Sequence, residues 1–339
     1  MRKRSFTFSN STVDYFFGAD FSYIEKLVSK EQAVIITDDH IFLKHKAKFK
    51  GWNTIVLKPG EEFKVQQTVD MIIDQLLAFG ADRNTILVGV GGGVITDMTG
   101  YVAGIYMRGI KCGFVPTSML AMVDAAIGGK NGIDVGVYKN MVGLIRQPLF
   151  LLFDFSFLKT LPQSEWQNGF AEIIKHACIK DVAMFQLLQA NSIAKFKKDP
   201  ALLSSLIQRN VLIKTKVVLN DEFEQGDRKL LNFGHTLGHA IENIYELSHG
   251  QAISIGMTYA ALMSAQIKGF SDAEAVIGLL AKYGLPTFAD FDKKNAFKIL
   301  QKDKKKVAQG ISFVLLKKIG KAVIQPLQFT ELEAILKQY

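Results

Sequence analysis

Several things are missing from this chain of 339 residues. No apolar run approaches the ~20 residues that a membrane-crossing helix requires, so no spanning segment is expected. Cysteine is nearly absent: Cys112 and Cys178 stand far apart with no CxxC spacing, which argues against a disulfide framework and a thiolate zinc site. The opening Met1-Arg2-Lys3-Arg4 carries the charge of a signal peptide, but Ser9, Asn10, Ser11 and Asp14 break the apolar stretch that would have to follow. A cytoplasmic location is the expectation. Repeats and low-complexity linkers are lacking too. The net charge of +9 raises the question of nucleic acid. The basic residues are scattered, however, the densest run spans only residues 302 to 306, and no aromatic–basic interleaving accompanies them, so no nucleic-acid partner is expected. A small anionic substrate explains a cationic pocket equally well, and a solvated surface accounts for most of the lysines.

What is present begins with alternation. Short buried-strand patterns occupy residues 33–37, 54–57, 85–90 and 112–116, and residues 65–77 keep helical spacing up to Gly80. Strand–helix alternation of this kind predicts a parallel sheet wrapped by helices, a Rossmann-like domain. After about Thr160 long amphipathic helical patterns take over, at 164–178, 202–219, 235–247, 252–268 and 273–283. Ser271 with Glu274, and Thr330 with Glu333, read as capping boxes. Residues 311–316 and 322–325, joined through Gly320, read as a hairpin. The change of period places a domain boundary near 157, giving 1–157 and 158–339.

The chain has only six histidines, and two of them, His235 and His239, share one face of a helical run in Leu231-Asn232-Phe233-Gly234-His235-Thr236-Leu237-Gly238-His239. His249 follows, and Glu172 lies upstream in the apolar run Gly169-Phe170-Ala171-Glu172-Ile173-Ile174-Lys175. Each alone reads as an ordinary core or surface residue. Together they offer the few ligands and open position of a catalytic zinc-type site. His176, one turn beyond Glu172, is the competing ligand. Gly89-Val90-Gly91-Gly92-Gly93 follows a strand and precedes a helix, where glycines let backbone N–H groups approach a pyrophosphate; a tight turn without ligand is the plainer reading. Asp38 ends a strand, placed for ribose hydroxyls or simply for a turn. Arg108, Lys130 and Lys139 sit on or beside glycine-rich loops suited to oxyanions.

These runs resemble the 3-dehydroquinate synthase family over nearly the whole length. The matching segments are Gly91-Gly92-Gly93-Val94-Ile95-Thr96-Asp97-Met98, Tyr106-Met107-Arg108-Gly109, Val115-Pro116-Thr117-Ser118, Gly128-Gly129-Lys130, Lys139-Asn140-Met141, the Glu172 run, Asp221-Glu222-Phe223-Glu224, and residues 230 to 242. The resemblance implies an α/β fold, with an N-terminal Rossmann-like NAD-binding domain, a C-terminal mainly α-helical metal-binding domain, and the active site in the cleft between them. It implies that Glu172, His235 and His249 hold one divalent metal, zinc or cobalt. Asp38, Glu61, Lys64, Gly92, Gly93, Asp97, Thr117, Ser118, Asp124, Lys139 and Thr160 are implied to line the NAD site. Arg108, Lys130, Asn140, Lys175, Lys214, Arg228, Asn232, His239 and one or both of Lys304 and Lys305 are implied to hold a small phosphorylated substrate. The implied reaction converts 3-deoxy-D-arabino-heptulosonate 7-phosphate to 3-dehydroquinate and phosphate in the shikimate pathway. In it a hydroxyl is oxidised by NAD, phosphate leaves by elimination, the carbonyl is reduced again, and an aldol step closes the ring. A homodimer is the implied assembly.

Departures from the family pattern are Thr96 for a glycine, Ala125-Ala126 for small hydroxyl residues, Asp134 to Tyr138 for Asn-His-Pro-Leu-Gly, Ser164 for arginine, and Gln251 for glutamate. Two enzyme readings stand beside the synthase: another sugar-phosphate cyclase of inosose or valiolone type, and a glycerol- or iron-type alcohol dehydrogenase. A non-catalytic nucleotide-binding module would not need Glu172, His235 and His249 together.

Overall fold

This computed structural model describes residues 1–136, 138–242, 244–301, 306–307, 310–336 and 338. The chain divides into two compact units: Met1–Glu165 with Ile207–Phe223, and Trp166–Leu206 with Glu224–Tyr339. Each unit is discontinuous in sequence because one long helix runs from the second unit back into the first.

The first unit contains strands β1 (Arg2–Thr7), β2 (Thr12–Phe17), β3 (Ala33–Asp38), β4 (Asn53–Leu57), β5 (Ile86–Gly91), β6 (Lys111–Pro116), β7 (Lys130–Val135), β8 (Tyr138–Ile145) and β9 (Phe150–Phe153). Seven form one sheet in the order β1-β2-β9-β6-β5-β3-β4. All neighbours are parallel except β1 and β2. β3 and β9 are buried at every position, as continuous apolar strands covered on both faces must be. The helices are α1 (Asp39–Lys44), α2 (Gln66–Ala78) and α3 (Gly93–Ile105). The β1–β2 hairpin, the separate β7–β8 hairpin and β9 were not legible as strands in the sequence. Residues 9 to 11, which break the signal-peptide pattern, lie in the β1–β2 turn, where Phe8 N–H donates to Ser11 O at 2.8 Å.

The second unit is mostly helical: α4 (Gln163–Lys180), α5 (Val182–Ala190), α6 (Ile193–Lys198), α7 (Pro200–Asn220), α8 (His235–Glu242), α9 (His249–Lys268), α10 (Ala273–Lys282), α11 (Lys293–Leu300) and α12 (Phe329–Leu336). The first residues of α4 and the latter part of α7 belong to the first unit. A three-stranded sheet, β10 (Lys306–Val307), β11 (Gly310–Lys318) and β12 (Lys321–Gln328), accompanies them. The expected hairpin is there, turning at Gly320 with φ +79°. Leu237, Ile241, Ile255, Tyr259, Phe313, Leu315 and Leu332 join one apolar core.

Four expected details are corrected. The helix starting at His235 ends at Glu242, not near 247. The Ile241 carbonyl accepts from both Ile244 and Tyr245 N–H, closing a turn. Ser248 then starts α9 three residues earlier than periodicity suggested, through a capping box with Gln251. Ser271 caps nothing, because α9 ends on left-handed Gly269 and the chain re-enters helix at Asp272, which makes no side-chain cap bond. Thr330 already lies inside α12, which opens at Phe329.

Candidate active site

Helix α4 is unusual in being buried continuously from Asn168 to Ile179 while carrying Glu172, Lys175 and His176. Burying charge costs several kcal/mol per ion unless it is compensated, so such a helix implies a partner for its acid. Glu172 is wholly buried, and among the described residues neither carboxylate oxygen accepts a hydrogen bond of normal geometry. Oε2 contacts the Lys175 ammonium. Oε1 faces His235 Nε2 and His249 Nε2, each at 3.4 Å. One ligand atom from each of Glu172, His235 and His249 lies within 4.8 Å of the others. Two ligands bonded to a tetrahedral zinc-like ion at about 2.1 Å stand about 3.4 Å apart. The donor set therefore fits a divalent ion in both chemistry and spacing.

Local sequence brings the imidazoles there. His235 opens α8, and its Nδ1 is 3.2 Å from the Phe233 carbonyl oxygen, which turns Nε2 toward Glu172. The α8–α9 approach depends on small residues: a Cβ on Gly256 would lie 1.9 Å from the Gly234 carbonyl oxygen. His249 is the first residue of α9. Asn168 Oδ1 accepts from Ser248 Oγ at 2.7 Å and from Gly250 N–H at 3.2 Å, tying that helix start to α4. Gln251 Oε1 accepts the Ser248 N–H at 2.9 Å. This explains one departure, since glutamine closes a capping box as glutamate does. Asn168 and Ser248 were missed in the sequence, although the Ser-x-x-Gln spacing was visible.

The cluster sets its own protonation. Burial alone would raise the Glu172 carboxyl, but Lys175 and His235 outweigh it and hold it well below the usual range. Burial and the Lys175 charge push His235 down to about 4. Burial opposes charge on His249 too, but Glu172 and Glu242 prevail and push it up to about 10. His239, one turn after His235, has its ring centroid 5.1 Å from that of His235 and 6.1 Å from that of His249. Arg228 is buried with 1% exposure, and Asn232 Nδ2 donates to Glu224 Oε1 at 3.0 Å.

The first unit gathers the other expected residues. Gly92 is the N-cap of α3, directly after β5, and Gly93 opens the helix. Thr96, a departure, is buried and donates to the Gly93 carbonyl at 3.0 Å. Ala125, another departure, sits where a Cβ on Gly93 would come within 3.2 Å of its own Cβ. Lys64 Nζ is 2.6 Å from Asp97 Oδ2, 2.7 Å from Asn140 Oδ1 and 3.6 Å from Glu61. Burial opposes the charge on Lys64, but Asp97 and Glu61 outweigh it and raise its pKa. Asn140 holds a left-handed φ of +51°, and its N–H donates to Asp134 Oδ1 at 2.6 Å. That gives the departing Asp134 a task in place of the family's asparagine. Lys214 Nζ lies 2.7 Å from Asp124 Oδ1 and donates to the Asp124 carbonyl. Thr117 and Ser118 are buried after β6.

Asp38 caps α1 by accepting the Ile41 N–H at 3.0 Å. Thr160 Oγ1 is 3.0 Å from His45 Nε2. Arg108 is exposed with φ +66°. Lys130 opens β7. Beside it, buried Asn131 donates to the Gly129 carbonyl at 2.7 Å and the Arg146 carbonyl at 3.0 Å. Asn131 fits only because residue 100 is glycine, where a Cβ would stand 1.8 Å from its Oδ1. Lys139 lies in β8, and His176 is wholly buried on α4. Lys304 and Lys305 lie outside the described residues.

A parallel-sheet unit with a glycine-opened helix, and a helical unit with a buried Glu–His–His donor set, define an α/β enzyme built for a metal ion. Comparison with known proteins narrows this. Residues 54–168 match the family model described as 3-dehydroquinate synthase N-terminal, and residues 169–306 match 3-dehydroquinate synthase C-terminal. The chain belongs to the 3-dehydroquinate synthase family of sugar-phosphate cyclases. Among solved structures it is similar to a 2-epi-5-epi-valiolone synthase from Streptomyces hygroscopicus subsp. jinggangensis 5008 with NAD+ and Zn2+ bound, at 26% identity, covering 99% of this chain and 98% of that one, with a TM-score of 0.87. A 2-deoxy-scyllo-inosose synthase complexed with carbaglucose-6-phosphate, NAD+ and Co2+ matches at 26% identity and TM-score 0.84, covering 99% and 100%. A probable glycerol dehydrogenase from Sinorhizobium meliloti 1021 shares the fold at 16% identity and TM-score 0.66, covering 96% and 95%. Among the described residues no helix is long and apolar enough to cross a membrane.

Proposed function

We propose that this chain is a 3-dehydroquinate synthase, converting 3-deoxy-D-arabino-heptulosonate 7-phosphate to 3-dehydroquinate and phosphate. The buried cluster of Glu172, His235 and His249 carries the reading, supported by similar cyclases with NAD+ and Co2+ or Zn2+. Within the cyclases, the family's Gly128-Gly129-Lys130, Lys214, Asn232 and His239 favour a substrate bearing both a phosphate and a carboxylate.

Glu172, His235 and His249 are the proposed metal ligands, and Gly92, Gly93, Asp97 and Asp38 the core of the proposed NAD site. When bound, the metal supplies Lewis-acid polarisation of substrate hydroxyls, and NAD supplies a reversible hydride acceptor. The rest falls to side chains. Lys130, Arg228 and Asn232 bind and orient the anionic ends of the substrate, with charge-assisted hydrogen bonds roughly twice as strong as neutral ones. Asn131 and Gly100 hold the backbone beside Lys130 in one conformation. Lys175 keeps Glu172 ionised. His239 takes and returns a proton at an imidazole nitrogen.

The 26% identity to inosose and valiolone synthases supports a second reading, a carbocycle made from a sugar phosphate without the carboxylate. One assay separates them. Purified enzyme with limiting NAD is offered the heptulosonate phosphate, a hexose 6-phosphate and a heptulose 7-phosphate. The synthase reading expects one phosphate released per heptulosonate consumed, many turnovers per NAD, and no steady rise in absorbance near about 340 nm. Release from either of the sugar phosphates that lack a carboxylate, and not from the heptulosonate, would favour the second reading. NADH accumulating with substrate loss would mark a dehydrogenase.

A further inference from the structure

We infer that Glu242 orients and strengthens His249 as a metal ligand, so that the two imidazoles of the site are unequal. The inference rests on the proposed ligand set. A ligating imidazole must bare one ring nitrogen, and the proton on its other nitrogen needs an acceptor. Both rings turn Nε2 toward Glu172 Oε1, at 3.4 Å. Their Nδ1 atoms meet different groups. His235 Nδ1 faces the Phe233 carbonyl at 3.2 Å, a neutral acceptor fixed by the backbone. His249 Nδ1 faces Glu242 Oε2 at 3.5 Å, on a side chain only 5% exposed. Glu242 closes α8 and His249 opens α9, so the turn that shortened α8 is what brings the carboxylate to the ring.

His239, Glu242 and His249 also place ligand atoms within 4.8 Å of one another. A second ion there would require His249 to surrender its Nδ1 proton while Nε2 serves the first ion. A buried carboxylate against an N–H needs no such loss. Outer carboxylates of this kind raise ligand basicity, and their removal typically weakens metal binding by about 10- to 100-fold.

The test is cobalt binding, read without turnover. The metal-free full chain is titrated with Co2+ against a competing chelator, following the visible cobalt band, for wild type, Glu242→Gln and His249→Ala. The expectation is one Co2+ per wild-type chain, about 10- to 100-fold weaker binding with a shifted band in Glu242→Gln, and unchanged metal-free far-UV circular dichroism. If Glu242→Gln does not fold, Glu242→Asp keeps the charge one methylene away and should still show weakened binding. Wild-type affinity and spectrum in Glu242→Gln would overturn the inference and leave the ligand set standing. A second ion bound in wild type and lost in Glu242→Gln would overturn it in favour of a two-ion site. No Co2+ uptake by wild type, or full occupancy in His249→Ala, would remove the ligand set itself.

Discussion

The two units treat buried charge in opposite ways. In the first, each buried ammonium is closed on acceptors: Lys64 on Asp97 and Asn140 at 2.6 and 2.7 Å, Lys214 on Asp124 at 2.7 Å. In the second, Glu172 faces the Lys175 ammonium and two imidazole nitrogens at 3.4 Å, the spacing of two ligands of one ion. A closed pair is a finished structural contact, and a ligand arriving there must exchange with it. An open cluster is a place where a bound group completes the electrostatics. The first arrangement should therefore weigh on folding and the second on function, and substitutions can test that division.

The largest effect is expected at the open cluster. His249→Ala should lose most bound metal and lower turnover by at least about 1000-fold, since the polarising ion goes with it. The fold should persist, because Glu172 keeps Lys175 and His249 contributes little to the apolar core. Metal analysis and a melting curve check both halves. Full metal content, or a collapse of the melting curve without metal loss, would break the contrast.

At the closed pair the order should reverse. Lys64→Met strands the Asp97 carboxylate in a site where Lys64 is 3% exposed. Removing one partner of a buried ion pair costs about 3 to 5 kcal/mol. Burial already pushes the Asp97 carboxyl up against the pull of Lys64, so losing that pull raises it further. The sign follows: a raised carboxyl is neutral at low pH, so the deficit should be largest at neutral pH and shrink as pH falls. Melting curves of both proteins between pH 8 and pH 5 measure this. A loss of metal rather than of stability would show that the two units are not divided in this way.

The same contrast decides what could be read beforehand. The central strands β3, β5 and β6 were legible because both faces are buried and their apolar runs are unbroken. β1 and β8 were not, since their mostly exposed residues follow no apolar period. Helix ends went wrong where the connection decides them: the α8–α9 turn is set by Ile241 accepting twice and by the Ser248 cap, which a period of 3.6 residues does not report. At the site, residue types carried the ligand set because few side chains bind metal and few belong in a buried helix. Asn131, Asn168 and Glu242 escaped notice because they act on backbone or on another side chain, over separations that spacing along the chain does not reveal.

The smallest effect expected is a count of protons at the open cluster. At neutral pH Glu172 is ionised and His235, pushed down to about 4, is neutral, so both are ready to bind metal. His249, pushed up to about 10, is charged. A ligating imidazole must be neutral at the bound nitrogen, so binding has to expel the His249 Nε2 proton while Nδ1 keeps its own toward Glu242. Metal uptake at pH 7 should therefore release about one proton, and apparent affinity should rise about tenfold per pH unit between roughly pH 5 and 9. Below that window His235 charges as well and the dependence steepens; above it His249 is already neutral and the dependence flattens. Calorimetric titration with Co2+ in buffers of different ionisation enthalpy counts the protons directly. None released would mean that His249 is neutral in the metal-free protein, against the pull of its two carboxylates. Two would mean that Lys175 does not keep His235 uncharged, and that the cluster is more open to water than its burial implies.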